Sequence, residues 1–308
     1  MTDLKPVNRN LESVTLQDIE GHKIVSEAER SEDLRKLRQF DASENRNAFY
    51  GNPTLYHYQF QNLLRCRREG GKTLYEVWAD PEQRQALLDS TRQRNRGGRT
   101  AAGNIWECFR ANTGSVVMFK ATTAKYVYSK YGARRVLDPT AGWGGRMLGA
   151  WALDIDYVGM DTNTNLKPAY DDMIDFLQGQ NQLPSLLFEA PQSDLQMIWG
   201  NCLEQEFSQI DYDFVLTSPP YVNLELYEGM TPWANATQFH REFFIPLWRK
   251  CCDNIRPGGV VALNVSPKMY DDAVKLGLPP CDDSEDLLQQ LGQQMTKKRQ
   301  DKIYCWHC

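Results

Sequence analysis

The chain has 308 residues, a formal net charge of −5 and 41% hydrophobic residues, enough for one large domain or two modest ones with a real core. That charge excludes a globally basic nucleic-acid binder, and no run approaches the roughly twenty apolar residues of a membrane-spanning helix. The start, Met1-Thr2-Asp3-Leu4-Lys5, has no apolar signal region, so a cytoplasmic setting with reduced cysteines is expected.

The first 33 residues are polar and lean acidic, which predicts a partly extended segment. Helical spacing begins near Ser31 with Leu34, Leu37 and Phe40, and continues over Tyr56 to Cys66 with Phe60, Leu63 and Leu64 on one side. A third helix is expected over Pro81 to Arg92, with proline at its first position. Arg65, Arg67 and Arg68 form one basic cluster. Arg92, Arg94, Arg96 and Arg99 form another around Gly97-Gly98. The second is a candidate for phosphate contact; the alternative is a solvated basic face. We place the end of an N-terminal helical region, 1–110, here.

From 111 to 308 strands and helices alternate, which implies a mostly parallel sheet covered on both faces. Strands are expected near 135–138, 157–161, 197–200, 213–217, 259–265 and 302–306. Helices are expected near 144–153, 166–178, 238–255 and 284–298. Phe239, Phe243, Leu247 and Trp248 read as the core face of the third of these helices.

Val136 to Ala150 reads as a strand, a Gly-rich turn and a helix start, with Asp138, Pro139, Thr140, Ala141, Gly142 and Gly144 in the turn. An acid at the mouth of such a turn opposes a pyrophosphate but suits a ligand carrying an ammonium and a sulfonium. The next strand ends in Asp161, at the offset where an acid accepts hydrogen bonds from ribose; a helix cap is the alternative. Asn201 tips a third strand, where it could meet an adenine edge.

Phe214 to Thr217 then reads as a buried strand stopped by Ser218-Pro219-Pro220-Tyr221. Two prolines make a rigid turn at the carboxyl end of a strand, where open α/β sheets do their chemistry. The hydroxyl of Ser218 and the carbonyl of Pro219 can accept hydrogen bonds from an amine, and the ring of Tyr221 can stack on a base.

These two motifs, in this order and spacing, resemble the S-adenosylmethionine-dependent amino-methyltransferases of DNA, with the nearest likeness to phage and giant-virus members. The resemblance spans roughly 111–308 and implies a Rossmann-like methyltransferase fold. It also implies that the first motif binds the methionine part of the cofactor, that Asp161 binds its ribose, and that Ser218 to Tyr221 hold the target base. Phe119, Lys120 and Thr122 loosely match a segment that helps bind the cofactor's carboxylate end. Serine at the first position of the base-binding motif goes with cytosine N4, and aspartate or asparagine with adenine N6. Adenine N6, an RNA substrate and a non-catalytic binding subunit stay open as alternatives.

The loop from Val222 to Thr237 carries Glu225, Tyr227 and Trp233 and is expected to face substrate. A cysteine nucleophile is not indicated, because the single Pro-Cys pair, Pro280-Cys281, lies in a loop-like stretch. Cys305 to Cys308 has metal-like spacing, but no second cysteine pair completes four ligands, so no metal is expected.

Overall fold

The computed structural model describes residues 10–45, 48–68, 70–94, 99–113, 116–181, 193–222, 225–226, 233–286 and 301–308. Seven strands form one sheet: β1 (Arg135–Asp138), β2 (Asp156–Asp161), β3 (Leu195–Trp199), β4 (Phe214–Thr217), β5 (Val260–Val265), β6 (Asp283–Asp286) and β7 (Lys302–His307). Their spatial order is β3-β2-β1-β4-β5-β7-β6. The first five are parallel, and β7 runs antiparallel to both β5 and β6. This is the expected Rossmann-like α/β fold with a mostly parallel sheet. Strand order reverses between β1 and β4, so a crevice opens at their carboxyl ends.

The central strands are buried on both faces, which is why they appear in the sequence as unbroken apolar runs. Alternate residues feed two separate cores. Val136, Phe214, Leu216 and Ala262 join one cluster, while Leu137, Val215, Val261 and Leu263 join the other.

The first cluster also takes in the helices that precede the sheet: α1 (Leu16–Glu20), α2 (Glu27–Gln39), α3 (Asn52–Leu64), α4 (Leu74–Ala79), α5 (Pro81–Arg94) and α6 (Ala101–Thr113). Leu34, Leu37, Phe60 and Trp106 thereby share a core with Tyr128, Met147 and Leu148. Those three lie on α7 (Ala121–Tyr131) and α8 (Gly145–Trp151). Two buried charges fasten the layers. Asp33 accepts from the backbone nitrogens of Gly51 (2.9 Å) and Thr54 (3.1 Å), closing the start of α3. The Lys125 ammonium donates to the carbonyls of Leu37, Arg38 and Phe40 at 2.7–2.8 Å, closing the end of α2 from α7.

The second cluster is covered by α10 (Ala236–Phe239), a π-helical turn (His240–Phe244) and α11 (Ile245–Asn254), with α12 (Pro267–Lys275) following β5. Phe239 and Leu247 are buried there, and Phe243 and Trp248 pack against them. α9 (Lys167–Asn181) brings Tyr170 and Met173 to the first cluster.

Three expectations change. The first 33 residues, expected to be partly extended, carry α1 and the opening turns of α2 in their described part, because Thr15 and Ser26 each cap a helix start through a reciprocal bond with the acid three residues on. The stretch expected as a helix over 284–298 opens with the edge strand β6, and 287–300 lie outside the described residues. Backbone pairing with β7 sets this strand, not side-chain periodicity. Nor are all cysteines free: Cys252 on α11 and Cys308 form a disulfide with Cα atoms 5.5 Å apart. Backbone bonds between Cys308 and Gly258 (2.9 Å) and Gly259 (3.0 Å) hold that residue beside the end of α11.

Candidate active site

The Gly-rich turn leaves β1 at Asp138 and enters α8 at Gly145. Gly142 and Gly144 adopt φ of 58° and 87°, a region open to glycine at no steric cost. Three contacts hold the turn: Ala141 N donates to Met160 O (2.8 Å), Gly142 N to Asp161 Oδ2 (2.8 Å), and the Tyr170 hydroxyl to Gly142 O (3.0 Å). Gly145 lies against residue 119 so closely that a Cβ would sit 1.8 Å from the Phe119 carbonyl oxygen. A Cβ at Gly142, by contrast, would meet nothing nearer than 4.0 Å, so this side of the turn is open to a ligand.

Asp138 does not stand open at the mouth of the turn, as its sequence position suggested. Its side chain is fully buried. Its Oδ2 accepts from Arg146 Nε (2.7 Å) and the Tyr157 hydroxyl (2.6 Å), and its Oδ1 accepts from Thr217 Oγ1 (2.8 Å). Arg146 neutralises it and also donates to Thr140 O at 2.5 Å. Burial opposes the Arg146 charge, but Asp138 outweighs it and raises the guanidinium above its ordinary value. Burial first, and then the Asp138 charge, pushes Tyr157 well up, so its hydroxyl remains a donor.

Thr217 carries this network across to the second motif. Its Oγ1 gives its proton to Asp138 and accepts from Thr140 N (3.1 Å) and Thr140 Oγ1 (2.6 Å). The Gly-rich turn and the residue just before Ser218 therefore share one set of hydrogen bonds between neighbouring strands.

Ser218 sits over the end of β5. Its hydroxyl donates to Asn264 O (3.3 Å), and Asn264 Nδ2 donates back to Ser218 Oγ (3.2 Å). Pro219 is buried. The turn then tightens: Val222 N donates to Pro220 O (3.1 Å), with Val222 at φ 40°. A β-branched residue in that region is strained, and such strain is common at ligand-binding turns. Tyr221 packs on the second core cluster, and its side chain lies close enough to Asp301 to influence that carboxyl. Burial raises the Asp301 carboxyl, and the Tyr221 hydroxyl draws it part-way back.

Asp161 stands at the carboxyl end of β2 beside the open face of Gly142. Its Oδ1 accepts from Asn163 N (2.8 Å), so it caps the following turn while its other oxygen holds Gly142. Burial pushes its carboxyl up to about 6, against the pull of those backbone bonds. Asn201 caps its own turn, accepting from Leu203 N (3.1 Å) and donating to Glu204 (3.0 Å). Phe119 lies 5.2 Å under the Arg146 guanidinium, and the Lys120 ammonium 4.2 Å over the Phe49 ring. Thr122 is buried, with its hydroxyl donating to Ala48 O at 2.9 Å, which turns that group toward the N-terminal layer.

The basic cluster is partly committed. Arg92 pairs with Glu12 (2.8 Å) and with Asp89, and Arg99 pairs with Glu107 (3.3 Å). Arg94 is exposed at the end of α5. Arg96 and Tyr227 lie outside the described residues. Trp233 packs edge-on against the core aromatic Phe239 and at a tilt against Phe243, with centroids 5.7 and 6.0 Å away.

Sequence reading missed Arg146, Tyr157, Thr217 and Asn264. Two of them carried a signal. Arg146 is the charged residue of the otherwise apolar helix Gly145–Trp151, and Asn264 is the polar residue of the apolar strand Val260–Val265.

No protein-family model matches the chain, and no match was found among curated proteins. Solved structures with similar coordinates include an RNA methyltransferase from Salinibacter ruber in complex with S-adenosyl-L-homocysteine. It is 15% identical, covers 62% of this chain and 93% of its own, and has a TM-score of 0.38. TrmN from Thermus thermophilus is 13% identical over 72% of this chain and 77% of its own, at 0.39. An rRNA methylase from Streptococcus thermophilus is 10% identical over 63% of this chain and 99% of its own, also at 0.39.

Proposed function

We propose that the chain is an S-adenosylmethionine-dependent methyltransferase acting on the exocyclic amine of a nucleic-acid base, with cytosine N4 in DNA as the target. One observation carries this reading: the Asp138–Thr217–Thr140 network sets a ligand-accepting Gly-rich turn and the Ser-Pro-Pro-Tyr turn side by side where the strand order reverses.

The residues fit the cofactor. The open side of Gly142 lets a ligand rest on the backbone, and Asp161 beside it is an acceptor for ribose hydroxyls. Arg146 is committed to Asp138, so its guanidinium is not offered to a phosphate at the turn. When bound, S-adenosylmethionine would supply an electrophilic methyl on sulfur, and its transfer to the amine nitrogen would break the S–C bond, release the thioether and give one amine proton to water. Phe119 and Lys120 border the turn; Asn201 lies at the next strand end.

The remaining work is positional. A base in a duplex must leave the stack, at a cost of a few kcal/mol. Stacking on Tyr221 restores roughly 1–3 kcal/mol of it. Ser218 Oγ and the Pro219 carbonyl accept from the amine, favouring a pyramidal nitrogen whose lone pair faces the methyl. We assign 111–308 this chemistry and 1–110 a part in holding DNA, with Arg92, Arg94, Arg96 and Arg99 as phosphate contacts.

The deciding experiment incubates the protein with methyl-labelled S-adenosylmethionine and DNA or RNA, digests the polymer and identifies the labelled nucleoside. N4-methylcytosine from DNA is expected. N6-methyladenine would change the base, and label in RNA alone would change the polymer. Label at cytosine C5 would overturn the mechanism. No label anywhere would leave a binding subunit.

A further inference from the structure

We infer that Lys23, Arg99 and Arg110 form a phosphate-binding site through which the N-terminal helical layer takes hold of the DNA backbone. The inference rests on the function proposed above and adds Lys23 and Arg110 to the groups that hold the substrate.

Separate elements bring these cations together. Lys23 ends the 3₁₀ turn Gly21–Lys23, Arg99 stands just ahead of α6, and Arg110 lies in the last turn of α6. Glu107, one turn before Arg110, serves both arginines with a single oxygen. Its Oε2 is 3.3 Å from Arg99 Nη1 and 3.8 Å from Arg110 Nη2. Both distances exceed the roughly 2.7–2.9 Å of a good charge-assisted hydrogen bond. Arg35, by contrast, meets its own partner Glu32 at 2.7 Å. Arg110 Nε is buried and has no hydrogen-bond partner among the described residues. Lys23 has no carboxylate within ion-pair distance among the described residues, and its ammonium lies 5.3 Å from the centroid of the Tyr56 ring.

Three cations against one carboxylate leave two positive charges unbalanced. Gathering them is unfavourable. Burial lowers the Lys23 ammonium, Glu107 draws it back up, and Arg110 and Arg99 push it down again. His22 does not add to the charge: burial, and then Lys23, pushes its imidazole down to about 4, so it stays neutral. Like charges drawn together and partly out of water call for an anion that the cluster does not itself supply.

A phosphodiester fits. The arginine side chains are 42% and 37% exposed, so a ligand can reach them. Guanidinium forks and the ammonium point charge both take phosphate oxygens. Position agrees. Tyr56 follows Leu55, whose Cδ2 lies 3.5 Å from where a Cβ on Gly145 would sit, at the start of α8. Short stretches of chain thus tie the cluster to the carboxyl end of the sheet, the end that holds the proposed base site.

The test measures the salt dependence of binding to a duplex oligodeoxynucleotide by fluorescence anisotropy, with S-adenosylhomocysteine present. Wild type is compared with Lys23→Gln, Arg110→Gln and the double variant. Lys275→Gln makes the same change of charge at an exposed position of α12. The log–log slope should become shallower by about 0.9 in each single variant and by nearly two in the double. Affinity should fall alike on all sequences, because phosphate contacts position the protein without reading bases. Lys275→Gln should keep the wild-type slope, and S-adenosylhomocysteine affinity should be the same throughout. An unchanged slope in variants that bind S-adenosylhomocysteine overturns the inference, and so does an equal change in Lys275→Gln. Pyrophosphate binding that the double variant loses while the DNA slope stays the same would mark a free-oxyanion site and overturn the assignment to DNA. The methylation assay fails separately: a protein that labels no base but shows these slopes loses the functional reading and keeps this site. A wild type that binds no duplex overturns both.

Discussion

Replacing Arg146 by methionine tests the buried network at its most expensive point. Methionine fills similar volume but leaves the Asp138 carboxylate, fully buried, without its cation. Asp138 would keep the hydroxyls of Tyr157 and Thr217, two neutral donors at 2.6 and 2.8 Å. Thr140 O would also lose its guanidinium donor. Removing one partner of a buried ion pair costs about 3–5 kcal/mol, because the remaining charge is stranded in low dielectric. Asp138→Asn should cost about as much, since it strands in turn the Arg146 guanidinium, itself only 4% exposed. With Asp138→Asn in place, the further change Arg146→Met strands no charge. The double variant should therefore be less destabilised than the two single losses added together. Urea unfolding followed by tryptophan fluorescence gives all three values. A loss below about 1 kcal/mol for Arg146→Met, or simple additivity in the double variant, would refute the claim that this pair anchors the turn.

Other outcomes follow from the same geometry. Burial pushes the Asp161 carboxyl up to about 6, so it should lose the charge we assign to ribose hydroxyls as pH falls through that point. S-adenosylmethionine affinity measured by calorimetry should weaken below pH 6 and level off above pH 7, and Asp161→Ala should flatten the profile. For folding the sign is reversed: this group's contribution is fully present below its unfolded value and is lost as pH rises through about 6. Ser218→Ala and Tyr221→Ala should each cut methyl transfer while leaving S-adenosylhomocysteine affinity nearly intact; a parallel loss of cofactor binding would mean the turn is not a base site. Gly145→Ala would press a Cβ onto the Phe119 carbonyl and should destabilise by roughly 1–3 kcal/mol, read as a lower urea midpoint.

The parallel strands were legible in the sequence because a strand buried on both faces cannot hide its apolar run, as Phe214–Thr217 and Val260–Val265 show. Asp283–Asp286 was not legible, because it is an exposed edge of acids and a serine. Its place depends on β7 and on pairs such as Lys302–Asp286 (3.0 Å), which side-chain periodicity cannot reveal. The π-helical turn at His240–Phe244 likewise sits inside what reads as one continuous helix. At the site, both turns were visible from glycine and proline chemistry, which is local. What links them was not: Asp138 meets Thr217 across 79 positions and Ser218 meets Asn264 across 46. Contacts of that kind are set by sheet order, which the sequence states only indirectly.

The Lys125 ammonium, lodged among three carbonyls at the end of α2, bears on how the molecule comes apart. A chain cut back to residue 111 would keep this lysine but lose Leu37, Arg38 and Phe40, leaving a buried-site cation without its three carbonyls and uncovering the α7 and α8 residues that share their core with Leu34 and Phe60. Neither half can shed the other without exposing both a charge and a hydrocarbon surface. Heat or denaturant should therefore melt the helical layer and the sheet together, in one step. Amide hydrogens of α2 and β1 should then exchange through the same global opening.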